Sequence, residues 1–341
     1  MLNREGFLRR VQLVGGSTLT ISIPKRWASS VGLKPGDYVA VLPLEDDSLL
    51  LIPKGLPRKE LTEKAMYVSH DKPPESAVRE FIAYYLVGYD VIKVKFASGT
   101  SRHKLLIREA IRKKLIGVEP IEESAKELVV RCLIGSSELP VSIALNRMGV
   151  ITSSMISDAV EALMTCNREL AHEIMERDDE VDRIYLYIVR QLKKAVRNRL
   201  MLSELGLSSA RDCLGYRLVI KSVERSADHA CKIAQIASLL RTPPASHLSA
   251  LINTIASRSQ SIFRDSLKSL MSLDLNLANE TINRIEEVRS LEQKAIEVLL
   301  SQPIDIEDAS NIRLALESLT RIAEYGADIA EIAVNLSVKV P

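Results

Sequence analysis

The spacing of apolar residues divides the chain into three stretches with different periodicities. Over residues 8–53 apolar and polar positions alternate in short runs that end at glycine or proline, which is typical of β-strands. The pattern predicts four short strands around one small helix, which Gly32 closes as its C-cap. Because a segment this short buries little apolar surface alone, we expect it to complete its core by pairing with a second copy.

Residues 56–135 have a mixed pattern that predicts an α/β region. Runs such as 65–70 and 91–96 read as strands, and 75–89 and 102–115 have the three-and-four spacing of helices. The second helix carries six basic residues and one acid, Glu109. A solvated helix face is one interpretation of this run, and an anion-binding patch is the other. The basic residues are Arg102, Lys104, Arg108, Arg112, Lys113 and Lys114.

From about residue 137 the pattern is helical throughout. Breaks are predicted near Gly206, at Thr242-Pro243-Pro244, near Leu273 and at Pro303. The segments amount to about six helices of roughly 25 to 35 residues, each long enough to serve as a bundle element.

The helical part contains an internal repeat. At an offset of 107, residues 158–181 match 265–288 with nine identities in 24 positions. At an offset of 96, residues 216–237 match 312–333 with nine identities in 22 positions. The simplest architecture is therefore two tandem three-helix bundles, at about 137–242 and 246–338, that use alanine and leucine for close helix packing.

Composition and charge narrow the functional classes. Lysine and arginine number 46 against 44 aspartates and glutamates, so the net charge of +2 excludes a globally basic nucleic-acid coat but not a local patch. Four cysteines without CxxC spacing are typical of reduced buried thiols. No apolar run approaches the roughly 18 residues of a spanning helix, so we expect a soluble cytoplasmic protein without membrane insertion.

Enzymatic motifs are scarce in the sequence. It has no P-loop, dinucleotide-binding, zinc-protease or serine-hydrolase motif, and its five histidines form no convincing triad. The ExxH spacing of Glu169 and His172 is used by di-iron bundles, but that chemistry needs a second such pair, and the repeat has Asn276 and Asn279 there. We therefore expect no enzyme, with a metal-dependent oxidase as the remote alternative.

Two acidic pairs in the first bundle are candidates for a metal site. Asp178 and Asp182 lie four residues apart on one predicted helix, and Glu224 and Asp228 do so on a later one. Pairs at this spacing share a helix face, so two packed helices would bring four carboxylates together. Oxygen ligands of this kind suit Mg, Mn or Fe, while surface acids paired with neighbouring lysines and arginines are the alternative interpretation.

The second bundle departs from this acidic pattern. Its repeat positions replace Asp178 with Ile285, Asp182 with Arg289 and Glu224 with Thr320. Glu324 and Asp328 form a related pair shifted by one turn, and they are the remaining candidates for a second metal site.

The N-terminal segment presents candidate DNA contacts. Basic and hydroxyl side chains flank the first predicted strand, the glycine turn and the small helix. A dimer would present two copies of each, which suits a two-fold DNA site; ordinary surface residues are the alternative. The candidates are Arg9, Arg10, Ser17, Thr18, Lys25 and Arg26.

The N-terminal motifs resemble a known family of DNA-binding domains. Val14-Gly-Gly-Ser17, Thr20-Ile-Ser-Ile-Pro24, Val31 to Asp37 (VGLKPGD) and Leu49 to Pro53 (LLLIP) resemble the AbrB/MazE/SpoVT family of swapped-hairpin domains. The resemblance implies an intertwined β-barrel dimer that binds operator DNA. It also places the DNA-binding surface on the basic strand and turn residues named above.

The helical part resembles the PhoU family. The resemblance rests on the motifs Asp178-Asp-Glu-Val-Asp182 and Glu224-Arg-Ser-Ala-Asp228. A related motif, Arg321 to Asp328, occurs in the second copy. The resemblance implies tandem three-helix bundles whose acidic motifs bind metal ions, and a role in regulating phosphate uptake. The whole order of domains resembles archaeal phosphate-uptake regulators of PhoU type.

The sequence thus predicts a mainly α multidomain protein. Its predicted parts are a DNA-binding and dimerisation domain, an α/β middle domain and two bundles. We expect a dimeric, phosphate-responsive transcriptional regulator with a bound Fe, Mn, Mg or Zn ion; its partners would be DNA, a second copy, and a phosphate-transporter component or sensor kinase. The alternative is a regulator of that transporter or kinase that does not bind DNA and uses the N-terminal barrel only to dimerise. The predicted domains are 1–55, 56–136, 137–242 and 243–341.

Overall fold

The structure is a computed structural model whose chain divides into two compact units, residues 1–60 and 61–341. The predicted domain boundaries at 55–56 and 136–137 lie outside the described residues, and the boundary at 242–243 lies within the second unit. The structure describes residues 8–43, 47–54, 61–134, 139–196, 198–207 and 209–338.

The N-terminal unit contains two antiparallel hairpins and a short helix, as predicted. The first hairpin turns at Gly15 and Gly16, whose φ angles of 62° and 80° are in the region that glycine adopts most easily. The elements are β1 (Gln12–Val14), β2 (Thr18–Thr20), α1 (Lys25–Ser30), β3 (Val39–Pro43) and β4 (Leu49–Pro53). β1 pairs with β2 and β3 with β4, with no hydrogen-bonded pairing between the two hairpins among the described residues.

This unit has no core of its own in the single chain. None of its described residues is buried, and the strands expose aliphatic side chains that a folded domain normally covers. Leu8 is 97 % exposed and Tyr38 80 %. The other exposed large apolar residues are Val11, Leu13, Val14, Leu19, Ile21, Val41, Leu42 and Leu49.

An α/β region opens the second unit and confirms the predicted mixed pattern. Its four-stranded sheet has the order β5-β6-β8-β7, in which β5 and β6 are parallel and the other pairs antiparallel. A helix makes the crossover that the parallel pair requires, and inward-facing residues such as Phe81, Val94 and Leu128 form the core. The elements are β5 (Glu63–Val68), α2 (Pro74–Val87), β6 (Val91–Phe96), α3 (Ser101–Lys114), β7 (Val118–Glu123) and β8 (Glu127–Cys132).

Two helical bundles follow, as the repeat predicts. α4, α5 and α7 pack together in the first, and α8 to α11 in the second. The helices are α4 (Val141–Thr165), α5 (Arg168–Ala195), α6 (Arg199–Glu204), α7 (Asp212–Leu239), α8 (Ser246–Ser272), α9 (Leu275–Asn283), α10 (Ile285–Leu300) and α11 (Ile306–Ser337). No helix in the described part of the chain is both long and apolar enough to cross a membrane.

The repeat extends to the helix ends. Cys166 and Leu273 occupy equivalent positions and both adopt a left-handed conformation, with φ of 51° and 50°. The residues after them, Asn167 and Asp274, cap the next helix, each accepting a backbone N–H bond at 3.0 Å. The break at Cys166 was not among the predicted ones, although the repeat places it at the position of the predicted break near Leu273.

One aliphatic core runs through both bundles. Alanines on the inner faces of α7 and α11, among them Ala227, Ala234, Ala323 and Ala330, are fully buried and allow the helices to approach closely. At Gly326 a Cβ atom would lie 2.9 Å from Ile262 Cγ2, so α11 contacts α8 where only glycine fits without movement.

A buried arginine joins the α/β region to the first bundle. Arg190 of α5 is 3 % exposed. Its guanidinium donates to the carbonyls of Tyr85 and Gly88 at the end of α2 and lies 3.7 Å from Asp90. The α/β region is therefore held to α5 by polar contacts at its centre as well as by apolar packing.

Candidate functional site

The acids predicted in the first bundle lie on α5 and α7 and share one electrostatic environment. Loss of hydration, together with the charges of Asp228, Asp182 and Glu224, raises the pKa of Asp178 to about 7. Burial and the charges of Glu224 and Asp182 raise the pKa of Asp228 to about 6. Burial and Glu224 also raise the pKa of Asp182. The structure therefore brings the four carboxylates of Asp178, Asp182, Glu224 and Asp228, which we call the carboxylate set, into mutual repulsion.

The four members differ in exposure. Glu224 is buried, Asp178 and Asp182 are half-buried, and Asp228 is the most exposed. Because water screens the Asp228 charge, the shift at Asp178 is the firmer sign that negative charge is crowded here.

Two lysines partly offset the carboxylate set. Lys221, one turn before Glu224 on α7, forms an ion pair with it. Lys114, the last residue of α3, lowers the pKa of Asp182 but does not cancel the rise. The end of the basic helix in the α/β region therefore faces the acids of the first bundle, a proximity that sequence periodicity alone cannot reveal.

The chemistry of the carboxylate set matches a hard cation, but its placement is not that of a closed site. Oxygen donors with uncompensated negative charge suit Mg²⁺, Mn²⁺ or iron. Among the described residues, however, no three or more histidine, cysteine, aspartate or glutamate side chains are arranged to hold a metal ion. Binding would require Glu224 to turn from Lys221 toward the three aspartates.

The second bundle neutralises its corresponding acid internally. Arg289 on α10 lies 3.0 Å from Glu324 on α11, and Arg321 pairs with the same carboxylate. By the repeat, Arg289 occupies the position of Asp182 and Glu324 that of Asp228. Two guanidinium groups thus contact Glu324, whereas the first bundle keeps only the counterpart of Arg321, which is Arg225, and has Asp182 in place of Arg289.

Asp328 forms no ion pair with either arginine in the described part of the chain. Burial and the charge of Glu331 raise its pKa, and Arg321 lowers it. A cation bound by Glu324 and Asp328 would have to displace both arginines from Glu324.

Another repeated acid has a structural role. Arg177 donates to Asp158 at 2.6 Å, and the equivalent Arg284 donates to Asp265 at 2.7 Å. These pairs join the first two helices of each bundle and leave the two aspartates without free charge.

Two histidines of the first bundle, His172 on α5 and His229 on α7, have different environments. His172 is exposed beside Glu176. Burial lowers the pKa of His229 to about 4, so its ring is neutral at physiological pH, and it lies against Tyr325 with ring centroids 5.7 Å apart.

The six predicted DNA contacts lie on the N-terminal unit and are all exposed. They occupy the approach to β1, the turn and start of β2, and the first two positions of α1. Exposure on strands and a helix start is compatible with contacts to phosphates. The six are Arg9, Arg10, Ser17, Thr18, Lys25 and Arg26.

Sequence reasoning missed Arg190 and its partner Asp90. The available signal was a charged residue inside the apolar run Tyr187 to Leu192, where a solvated arginine is unexpected. Its partner is a hundred residues away, which no periodicity indicates.

Duplicated three-helix bundles, preceded by a small β unit and an α/β region, define the class of protein. The sequence profile of the PhoU domain matches residues 145–237 and 252–333, together just over half of the chain. The chain belongs to the PhoU family. The profile described as antidote-toxin recognition MazE, bacterial antitoxin, matches residues 12–59, which confirms the predicted AbrB/MazE-like N-terminal domain.

Individual relatives agree with this assignment. A protein of Pseudomonas aeruginosa called phosphate-specific transport system accessory protein PhoU homolog is 25 % identical over 198 residues, covering 55 % of this chain and 78 % of the relative. A protein of the same description from Aquifex aeolicus is 28 % identical over 195 residues, covering 56 % and 86 %.

Solved structures agree as well. The crystal structure of PhoU from Pseudomonas aeruginosa superposes with a TM-score of 0.52 at 25 % identity, covering 57 % of this chain and 94 % of that one. The phosphate transport system regulatory protein PhoU from Streptococcus pneumoniae gives a TM-score of 0.51 at 19 % identity, covering 57 % and 92 %, which supports the fold.

Proposed function

We propose that this protein is a cytoplasmic, phosphate-responsive transcriptional regulator that binds DNA as a dimer through its N-terminal unit. The observation that carries the proposal is the unburied aliphatic surface of that unit. Two hairpins without a core, whose sequence matches a MazE-type profile, require a second copy to cover residues such as Leu13 and Leu19. Pairing of two copies would also double the exposed basic residues along a two-fold axis.

The phosphate connection rests on the family. Relatives that match the helical part are described as accessory proteins of a phosphate-specific transport system. We infer that the bundles of this chain transmit phosphate status, and that the DNA-binding unit makes the output transcriptional.

A divalent cation at the carboxylate set completes the proposal. Supporting it are the raised pKa values of Asp178 and Asp228, for which burial is the largest cause and the charges of neighbouring carboxylates the next. A bound cation would offset those carboxylate charges and fix α5 against α7. Because Glu324 is already held by Arg289 and Arg321, we expect one cation per chain.

DNA binding is tested with the full-length protein on fragments of the source genome at two salt concentrations. We expect sequence-selective binding that weakens at least tenfold in the double variant Lys25→Gln/Arg26→Gln. The salt dependence should also fall, because contacted phosphates release fewer counterions. Lys193→Gln, an exposed lysine on α5, is the matched control and should bind as the wild type does. Weak, non-selective binding that neither variant changes would contradict a transcriptional role.

A second candidate function follows from the names of the relatives. The chain would act only on a phosphate transporter or its signalling kinase, and the N-terminal unit would serve dimerisation alone. This candidate predicts that Leu13→Asp reduces self-association in sedimentation experiments, while the wild type shows no selective DNA affinity.

A further inference from the structure

Most of the basic residues on α3 are committed to acids nearby. Arg102 pairs with Glu75, Lys104 and Arg108 pair with Glu123, and Lys113 pairs with Glu109. These contacts agree with a solvated helix face for that part of the run. Lys114 faces Asp182. Arg112 has no acidic partner within 4.0 Å in the described part of the chain, so its guanidinium is not engaged in an ion pair there.

A second arginine without a partner lies opposite, on α5. The Nε atom of Arg183 is buried and has no hydrogen-bond partner among the described residues, and the side chain forms no ion pair with them. A buried donor left without a hydrogen bond destabilises the folded state, and native structures seldom leave one without a role. Asp179, one turn earlier on the same helix, does not approach it closely enough to pair.

Arg112 and Arg183 line the same two clefts between the α/β region and the first bundle. One cleft has a volume of about 670 Å³ and the other about 480 Å³. Of the acids lining them, Glu109 pairs with Lys113 and Glu180 with Arg147. The paired acids contribute little net charge to the clefts, so the two arginines are their available ligand-binding groups.

We propose that these clefts bind a phosphorylated small molecule through the guanidinium groups of Arg112 and Arg183. A guanidinium presents a planar set of donors that matches the oxygens of a phosphoryl group, and two such groups on opposite walls suit a doubly charged anion. The volumes exceed what a lone phosphate fills and are typical of sites for drug-sized ligands. Bound there, the ligand would join α3 to α5, and the α/β region would act as an effector-binding domain.

The remaining acids set a limit on the ligand position. Glu176 and Asp179 line the smaller cleft and Glu119 the larger one. None of the three forms an ion pair with a lysine or arginine among the described residues, and Glu176 lies 3.8 Å from His172. The anion must therefore lie nearer the arginines than these carboxylates. Removing the Asp179 charge should tighten binding.

The test is isothermal titration calorimetry of the full-length protein with inorganic phosphate, pyrophosphate and ATP. EDTA is present throughout, so that no cation at the carboxylate set can bridge to the probe, and ionic strength is matched with sodium chloride. We expect at least one probe to bind the wild type. Arg112→Gln and Arg183→Gln should each weaken that binding at least tenfold, and Asp179→Asn should strengthen it.

The matched control is Arg102→Gln, which removes a basic residue of α3 that is already paired outside the clefts. It should leave affinity within twofold of the wild type. Circular dichroism checks that each variant is folded, and Arg112 is exposed, so its substitution leaves the core intact. Absence of binding by all three probes, or an equal loss in Arg102→Gln, would overturn the proposal. The titrations contain no DNA, so a failure of the transcriptional role would not affect their outcome.

Discussion

The contact between the α/β region and the first bundle depends on Arg190, and replacing it with methionine tests that reasoning. The guanidinium donates to the Tyr85 and Gly88 carbonyls, lies 3.7 Å from Asp90, and is centred 4.9 Å from the Tyr85 ring. Methionine is shorter but has a similar volume and no charge, so it removes these interactions while keeping most of the packing volume.

The expected loss can be worked out contact by contact. Without the arginine, the Tyr85 carbonyl still accepts a hydrogen bond from the Gly88 N–H at 3.0 Å. The bond from Arg190 to the Gly88 carbonyl is long, at 3.4 Å. Losing each of the two arginine hydrogen bonds should therefore lower the unfolding free energy by about 1 kcal/mol. The cation–π contact adds about 1 kcal/mol. Asp90 keeps Lys194 and Thr62 as partners, and loss of the arginine's desolvation penalty offsets part of the sum. The net decrease in unfolding free energy is therefore about 2 kcal/mol.

The assay is urea unfolding followed by circular dichroism at 222 nm. The single tryptophan, Trp27, lies in the N-terminal unit, so its fluorescence would not report on this contact. Hydrogen exchange over residues 74–96 should accelerate in Arg190→Met, and Arg190→Lys should be intermediate because lysine keeps the charge without the planar fork.

Lys193→Gln provides the control, because Lys193 is exposed on the same helix and should change stability by less than about 0.5 kcal/mol. A similarly small change in Arg190→Met, with unaltered exchange over residues 74–96, would refute the view that Arg190 holds the α/β region to α5.

Three further predictions concern the bundles. The folded-state pKa of Asp178 is raised from its usual value near 3.8 to about 7. Stability from this group is therefore greatest below pH 4 and is lost as pH rises through 7. In EDTA, Asp178→Asn should raise the melting temperature by about 2–4 °C at pH 8 and leave it unchanged at pH 3.5. Equal shifts at both pH values would contradict charge crowding. Gly326→Val should lower the unfolding free energy by about 1–3 kcal/mol in urea titrations, because its Cβ would lie 2.9 Å from Ile262; an unchanged midpoint would show that α8 moves freely. In EDTA, Arg289→Asp should lower the unfolding free energy by about 1 kcal/mol, because it places an acid beside Glu324. Adding Mn²⁺ should restore part of that stability in Arg289→Asp and none in Arg289→Gln.

Much of the fold could be predicted because its helices and strands follow from the local spacing of apolar residues. The strand and helix patterns identified all three kinds of region, and the repeat predicted two bundles of three helices. The break at Cys166 was missed since a cysteine in a left-handed conformation carries no turn signal; only the capping residue Asn167 indicated it. The equivalent break at Leu273 was predicted, so the repeat itself could have located the first.

The candidate site was predictable on one helix at a time and not between helices. A spacing of four residues places Asp178 and Asp182 on one face, but it does not say that Lys221 holds Glu224 or that Lys114 approaches from another region. The contact of Arg190 with Asp90 depends on how a sheet domain docks on a bundle. Such docking is decided by the shape and polarity of whole surfaces, which single-sequence patterns do not encode.

The two bundles differ in how the charge of their acids is compensated. Where α10 and α11 place Arg289 beside Glu324, the first bundle has Asp182 and Asp228 at the same two positions. Guanidinium groups fixed by the chain compensate Glu324 at all times. Basic side chains of the chain offset Asp182 and Asp228 only in part, so protons or a cation from solution would supply the rest. The charge on the acids of the first bundle therefore depends on pH more than the charge on Glu324 does, as the raised pKa values of Asp178 and Asp228 indicate. The first is also the bundle that contacts α2 and α3, so we expect a change in its charge state to alter the hydrogen exchange of the α/β region before that of the second bundle.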